Sequence, residues 1–395
     1  MSFFDTSYSV IIPSRHGSFY SEWQNCLDQL NALSINYITR IFKINIFISS
    51  ISQTEFRTRK EFITEAILKT FGNDCPAFGV LAIFPEEQFH ATIEAGLVKL
   101  SGEDLYFRRY NDLPYSVLVK NKYKELWVNG IEVRSETADT ENVSKEAFDL
   151  MHKILLKEDM TFDNIVRQWN YIGNILNAGQ NNNELVQNYQ VFNKVRFEYY
   201  HKYKLIPGYP AATGVGMNYR GIMIDLYAIE PTEEMQIISV GNPQQINPYH
   251  YDQIVLSDSL PSCKIEKHPP LFERAKLLAR GGIWQLLVSG TASIIGQETT
   301  NSGSLLEQTR TTIDNIEKLV SHGNLRLYYP QFVDKTLVSY KRIRVYVKNI
   351  SDVAMVKPLC TEYFGNIPSV YIQSHICRTN LLIEIEAELN SGKTD

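Results

Sequence analysis

The chain has little that could carry metal, redox or nucleic-acid chemistry. Its five cysteines (Cys26, Cys75, Cys263, Cys360, Cys377) are odd in number, scattered and free of any CxxC pair, which supports neither a disulfide framework nor a zinc site. The eight histidines are equally dispersed, with no HExxH spacing, so no metal and no cofactor is expected. No Lys/Arg-dense run occurs and the formal net charge is −5, which argues against the clustered basic face that a nucleic acid requires. No stretch approaches the roughly 20 apolar residues of a membrane span. The opening MSFFDTSYSVII lacks a basic segment, an apolar run and a small-residue cleavage site, and reads as the first strand of a cytoplasmic protein.

What is present is a globular composition, 44% hydrophobic and 21% charged over 395 residues. That length suits two domains, expected at 1–160 and 161–395. Strand-like runs at Tyr8 to Pro13, Ile44 to Ser50, Phe78 to Phe84, Tyr106 to Val119 and Glu125 to Val133 surround a helical repeat at Glu55 to Phe71. Polar Arg134 to Lys145 reads as a loop before a helix at Ala147 to Lys157. Phe162 to Leu176 reads as a helix, with Ile165, Trp169, Ile172 and Ile175 on one face. A second, aromatic-crowded helix follows at Leu185 to Tyr203. Beyond Arg274 come strands at Ala275 to Leu278 and Ile283 to Ser289, and a helix at Leu305 to Val320. A strand at Ile343 to Val347, a helix at Val353 to Phe364, and strands at Ser369 to His375 and Leu381 to Leu389 complete the run. That order is an α+β domain with helices on one face of a mixed sheet.

Two constellations stand out. Side chains alternate along a strand, so Glu384, Glu386 and Glu388 share one face, either as a solvated edge or as a buried acid cluster. The stretch Tyr209 to Gly216 (YPAATGVG) combines glycines and prolines that let backbone approach a ligand or simply turn into a strand.

The segments SGTASIIGQ (Ser289 to Gln297), Gln308-Thr309, Asp314 to Ile316 and Leu382 to Glu386 resemble the YjgF/RidA family. RQWNYIGNI (Arg167 to Ile175), YQVFNKVR (Tyr189 to Arg196), YPAATGVG, PPLFERA (Pro269 to Ala275), SGTASI and CRTNLLIEIE (Cys377 to Glu386) together resemble the chorismatases, over about 225 residues. The resemblance implies two RidA/YjgF-like (chorismate-mutase-like) domains and a chorismate substrate whose enolpyruvyl group leaves as pyruvate. It also implies Glu384 as the acid, with Glu386 as the fallback. Arg378, Arg274, Tyr251, Tyr249, Thr213 and Gly214 become candidates for binding a dianion, with Arg196 and Arg167 as weaker ones. In that family Gly in SGTAS and Cys seven residues before the acid go with 3-hydroxybenzoate formation, and here these are Gly290 and Cys377. A hydrolase giving a dihydroxycyclohexadiene carboxylate, a 4-hydroxybenzoate former, an enamine/imine deaminase and a non-catalytic ligand-binding module stay open. RidA-type sheets tend to form trimers, so a homo-oligomer is compatible, and a duplicated chain could mimic part of that ring.

Overall fold

The computed structural model describes residues 6–34, 39–100, 104–120, 123–135, 139–181, 184–256, 267–332 and 338–391; Cys263 lies outside them. The chain uses one supersecondary pattern three times. The first unit runs β1 (Thr6–Ile11), α1 (Phe19–Ser34), β2 (Thr39–Ile48), α2 (Gln53–Phe71), β3 (Ala77–Ala82), β4 (Ala91–Lys99), with sheet order β1-β4-β2-β3. The second begins with an extra hairpin, β5 (Asp104–Tyr110) and β6 (Leu113–Lys120). It continues with β7 (Tyr123–Val133), α3 (Thr140–Lys157), β8 (Ile165–Gly173), a short hairpin β9 (Ala178–Asn181) and β10 (Glu184–Gln187), α4 (Asn188–Tyr203), β11 (Ala211–Met217) and β12 (Ile222–Glu230). Its main sheet has the order β11-β8-β12-β7-β6-β5.

The third unit repeats this with β13 (Gln236–Val240), the short α5 (Gln253–Leu256), β14 (Ala275–Arg280) and β15 (Ile283–Ala292). A small hairpin follows, β16 (Ile294–Ile295) with β17 (Glu298–Thr299), and then α6 (Leu305–Val320) and α7 (His322–Tyr328). It closes with β18 (Val338–Val347), α8 (Val353–Phe364), β19 (Ser369–Gln373) and β20 (Ile383–Ser391), in the sheet order β13-β14-β15-β20-β18-β19. In each unit the last strand inserts antiparallel between the first and second strands of the shared pattern, and the third pairs parallel to the second.

The expected division at 160/161 falls inside the second sheet, because β7 before it and β8 after it both hydrogen-bond to β12. The units have diverged in sequence, so the repeat lives in the register and not in the residues. Two further expectations are corrected. Ile165 to Gly173 is a strand, not a helix; it is buried on both faces, so it lacks the polar alternation that marks a strand in sequence. The polar stretch before α3 contains that helix's own start, where Asp139 accepts from the Asn142 amide at 2.8 Å.

Helices cover one face of each sheet, and the three uncovered faces meet around a common core. Tyr8, Phe42, Phe47, Trp127, Trp169, Tyr171, Leu287 and Tyr346 share that core. It also holds a network of charges. Arg344 donates to Glu94 at 2.7 and 2.8 Å and to Asn45 and the Tyr171 hydroxyl, each at 2.8 Å. Arg342 sits between Glu94, Glu386 and Glu388, 3.3 Å from each. Lys43 lies 3.9 Å from Glu94, with its ammonium 4.8–5.1 Å from the rings of Tyr8, Trp127 and Trp169. Buried charges are tolerable only when paired, and removing one partner strands the other. Arg344→Met is therefore expected to lower unfolding free energy by about 3–5 kcal/mol, checked by urea titration of the purified variant.

Candidate active site

Register fixes which residues correspond among the three units. Asn45, Trp169 and Arg344 pair with Glu94, Asp225 and Glu386 in the inserted strands, so these three acids are equivalent. Phe47, Tyr171 and Tyr346 pair with Thr92, Met223 and Glu384. Only the third unit therefore has a carboxyl at the Glu384 position. It lies where the second and third units meet, in the wall of a cleft.

The cleft is lined by Tyr189 and Gln190 of α4, Ala212 and Gly214 of β11, Gly290 and Ala292 of β15, and Glu384 of β20. Loops add Tyr251, Phe272, Arg274, Cys377 and Arg378. Of the residues singled out in the sequence, Glu384, Arg378, Arg274, Tyr251, Gly214, Gly290 and Cys377 line this one cleft. Tyr249 and Thr213 are not on the wall. Tyr249 donates to Glu273 at 3.1 Å and packs on Tyr209, so it holds up the loop. Thr213 points behind the acid, where its hydroxyl donates to Glu386 at 2.6 Å.

The alternating carboxylates of β20 face the common core, not solvent: Glu384 is 5% exposed, and Glu386 and Glu388 are 1%. Their environments push two of them apart. Glu386 is buried, which favours its neutral form, but Arg167, Arg344 and Arg342 surround it and Thr213 donates to it, so its carboxyl falls to about 2. Arg167 at 2.9 Å and the Trp169 indole at 2.8 Å complete that cradle. Arg167, a weaker binding candidate in the sequence, is therefore a structural counter-ion. Glu384 has the opposite fate. Burial and then the charge of Glu386 push it up to about 8, against the pull of Arg167 and Arg274. Among the described residues it has no hydrogen-bond partner or ion pair. A neutral acid open to a cleft is the result.

The cations of the cleft are unusual in the opposite sense. Arg274 is 3% exposed, donates to the Ile246 carbonyl and to the Tyr251 hydroxyl, and leaves its Nε without a partner. Arg378 donates to the Gln297 carbonyl at 2.8 Å and lies over the Tyr251 ring. Behind Tyr189, buried Arg196 bonds the Asn193 amide oxygen at 2.7 Å and also leaves its Nε unpartnered. None of the three pairs with a carboxylate among the described residues. At each of the other two unit boundaries an ion pair reaches across from the corresponding helix, Lys60 to Glu132 and Lys357 to Glu86. The site-bearing boundary carries instead arginines that pair with no carboxylate among the described residues.

Sequence reasoning left Tyr189, Gln190, Ala212 and Phe272 off the site. Tyr189 and Phe272 lie inside motifs that had been singled out (YQVFNKVR and PPLFERA), but an aromatic that fills core and one that walls a pocket look alike in sequence. Gly290 is explained by geometry, since a Cβ there would stand 1.9 Å from Glu384 Oε1.

A family model described as "Chorismatase FkbO/Hyg5-like, N-terminal" matches residues 118–228. A 3-hydroxybenzoate synthase of Streptomyces hygroscopicus is 33% identical over 249 residues, covering 62% of this chain and 68% of that protein. A chorismatase of Streptomyces rapamycinicus is 28% identical over 235 residues, 57% of this chain and 64% of the relative. A crystal structure of a chorismatase superposes with a TM-score of 0.68 at 17% identity, covering 98% of this chain and 99% of that one, and so shares the fold. The chain thus has an α+β fold of mixed sheets, each with helices on one face, and a buried acid beside arginines that pair with no carboxylate among the described residues. The chain belongs to the chorismatase family. Among its described residues no helix is long and apolar enough to cross a membrane.

Proposed function

We propose that the chain converts chorismate to 3-hydroxybenzoate and pyruvate, with Glu384 as the general acid. One observation carries this reading: a buried carboxyl that keeps its proton near neutrality faces a cleft whose arginines pair with no carboxylate among the described residues. Chorismate is a dianion, and the planar guanidinium fork suits carboxylates. Arg274 and Arg378 flank Tyr251 at the cleft wall and are the proposed binding pair, with Arg196 as a further source of charge.

Glu384 gives its proton to the terminal methylene of the enolpyruvyl ether, which leaves an oxocarbenium carbon. The substrate's own 4-hydroxyl then displaces the ether oxygen at the neighbouring ring carbon and releases pyruvate. The hydroxyl proton returns to Glu384. The epoxide so formed rearranges to 3-hydroxybenzoate, and no water is consumed overall. In the hydrolytic alternative, water adds to the oxocarbenium carbon and the product retains both ring oxygens. Gly290 and Cys377, the latter half-buried in the cleft wall, support the first route.

Incubating purified protein with chorismate and separating the products by chromatography tests the proposal. Equimolar 3-hydroxybenzoate and pyruvate are expected, and unchanged chorismate overturns it. Arg274→Met removes a charge-assisted contact, so KM for chorismate is expected to rise about tenfold to a hundredfold, measured by steady-state pyruvate release. The acid is active when protonated, so kcat is expected to be flat below pH 8 and to fall as pH rises through about 8.

A further inference from the structure

Equivalence among the units separates what is structural from what is specific to the cleft. The acid at the Glu386 position recurs as Glu94 and Asp225, so its presence alone reflects the common core. The position paired across the parallel ladder does not recur. Trp169, Arg344 and Asn45 pair with Thr213, Val370 and Gly79. A hydroxyl therefore stands only at the boundary that also holds Glu384.

That hydroxyl is a three-way junction. It accepts from Arg167 at 2.6 Å and from the Gly290 amide at 3.1 Å, and it donates to Glu386 at 2.6 Å. Gly290 is in turn the backbone pressed against the Glu384 carboxyl. One oxygen thus ties the anion behind the acid to the strand in front of it. Resting on the reading of Glu384 as the general acid, we propose that Thr213 and Glu386 are its positioning residues. Thr213 pins Gly290 against the Glu384 carboxyl, and Glu386, held by Thr213 and Arg167, is the fixed negative charge on the same strand face.

Several elements pack around Glu384. Glu386 is its neighbour on β20, Arg167 and Tyr346 face it from β8 and β18, and Tyr189 faces it from α4. Arg274, Tyr251, Cys377 and Arg378 share its cleft. In that set Glu386 is the carboxylate, and the remaining charges are cations that draw the proton away. Desolvation acts with Glu386, and only Glu386 can be removed by a near-isosteric substitution.

The test is the pH profile of kcat on chorismate for wild type, Glu386→Gln, Thr213→Val and Thr213→Ser, with infrared detection of the protonated carboxyl assigned by its loss in Glu384→Gln. Glu386→Gln is expected to move both the alkaline limb and the infrared titration toward lower pH by about one unit or more. Thr213→Val is expected to lower kcat about tenfold or more with KM little changed, since one buried hydrogen-bond donor at the site is left unpaired. Thr213→Ser should restore it. An alkaline limb and infrared titration that stay at the wild-type pH in folded Glu386→Gln, or a Thr213→Val enzyme with wild-type kcat, overturns the inference. If Glu386→Gln does not fold, the Val and Ser pair decides alone. Full turnover by Glu384→Gln would instead remove the reading of the acid itself, so the two failures are distinct.

Discussion

Glu384→Gln is expected to lower kcat on chorismate by about a thousandfold or more while leaving chorismate affinity within a fewfold of wild type. General acid catalysis by one positioned group contributes about 10²–10⁴-fold, and a neutral amide is close in shape and charge to the protonated acid it replaces. The amide cannot deliver a proton to the methylene. Because wild-type Glu384 is itself neutral below about pH 8, the substitution adds no new charge to the cleft, and the arginines remain as found. Binding measured by calorimetry beside turnover measured by pyruvate release separates the outcomes. Loss of both would mean a collapsed site. Unchanged turnover would point to a binding module or a different acid. Glu386 is a poor substitute, because its carboxyl is held ionised by three arginines.

Gly290→Ala is expected to have the second largest effect. The new methyl would stand 1.9 Å from Glu384 Oε1 and 2.8 Å from its Cδ, so the carboxyl must swing away. Displacement of a reacting group by about 1 Å can cost about a hundredfold in rate, and a loss of that order is expected for 3-hydroxybenzoate formation. A relocated carboxyl also opens room between acid and substrate. The residual turnover is therefore expected to contain more of the water-derived dihydroxycyclohexadiene product, resolved by chromatography. A variant with wild-type rate and 3-hydroxybenzoate alone would show that the glycine matters only for packing.

Much of the third unit was legible because its strands alternate or are flanked by turns, and because α6 carries a clear apolar stripe beginning at a Ser304 cap. The alternation of the acid strand was readable, since a two-residue period puts three glutamates on one face, although the strand runs Ile383–Ser391, two residues later than expected at each end. Ile165 to Gly173 was not legible. Arg167, Trp169 and Tyr171 face the common core, while Gln168 and Asn170 serve the polar contacts under α4 through Tyr200 and the Thr213 carbonyl. A strand with polar groups on both buried faces has no simple period to detect. The threefold repeat was hidden for a related reason, since Glu384 corresponds to Met223 and Thr92. Thr213 was named for the right neighbourhood but the wrong side, because sequence does not say toward which face of a buried parallel strand a residue points.

The triplicated architecture has an effect on stoichiometry. In a ring of identical subunits every alteration is copied at each contact, so one mouth cannot be closed without closing the rest. Here the copies are joined in one polypeptide and free to differ. Lysine–glutamate pairs cross two of the seams, and the third carries Glu384, whose counterparts are Met223 and Thr92. Each molecule is therefore expected to react at a single seam, the one that carries this acid.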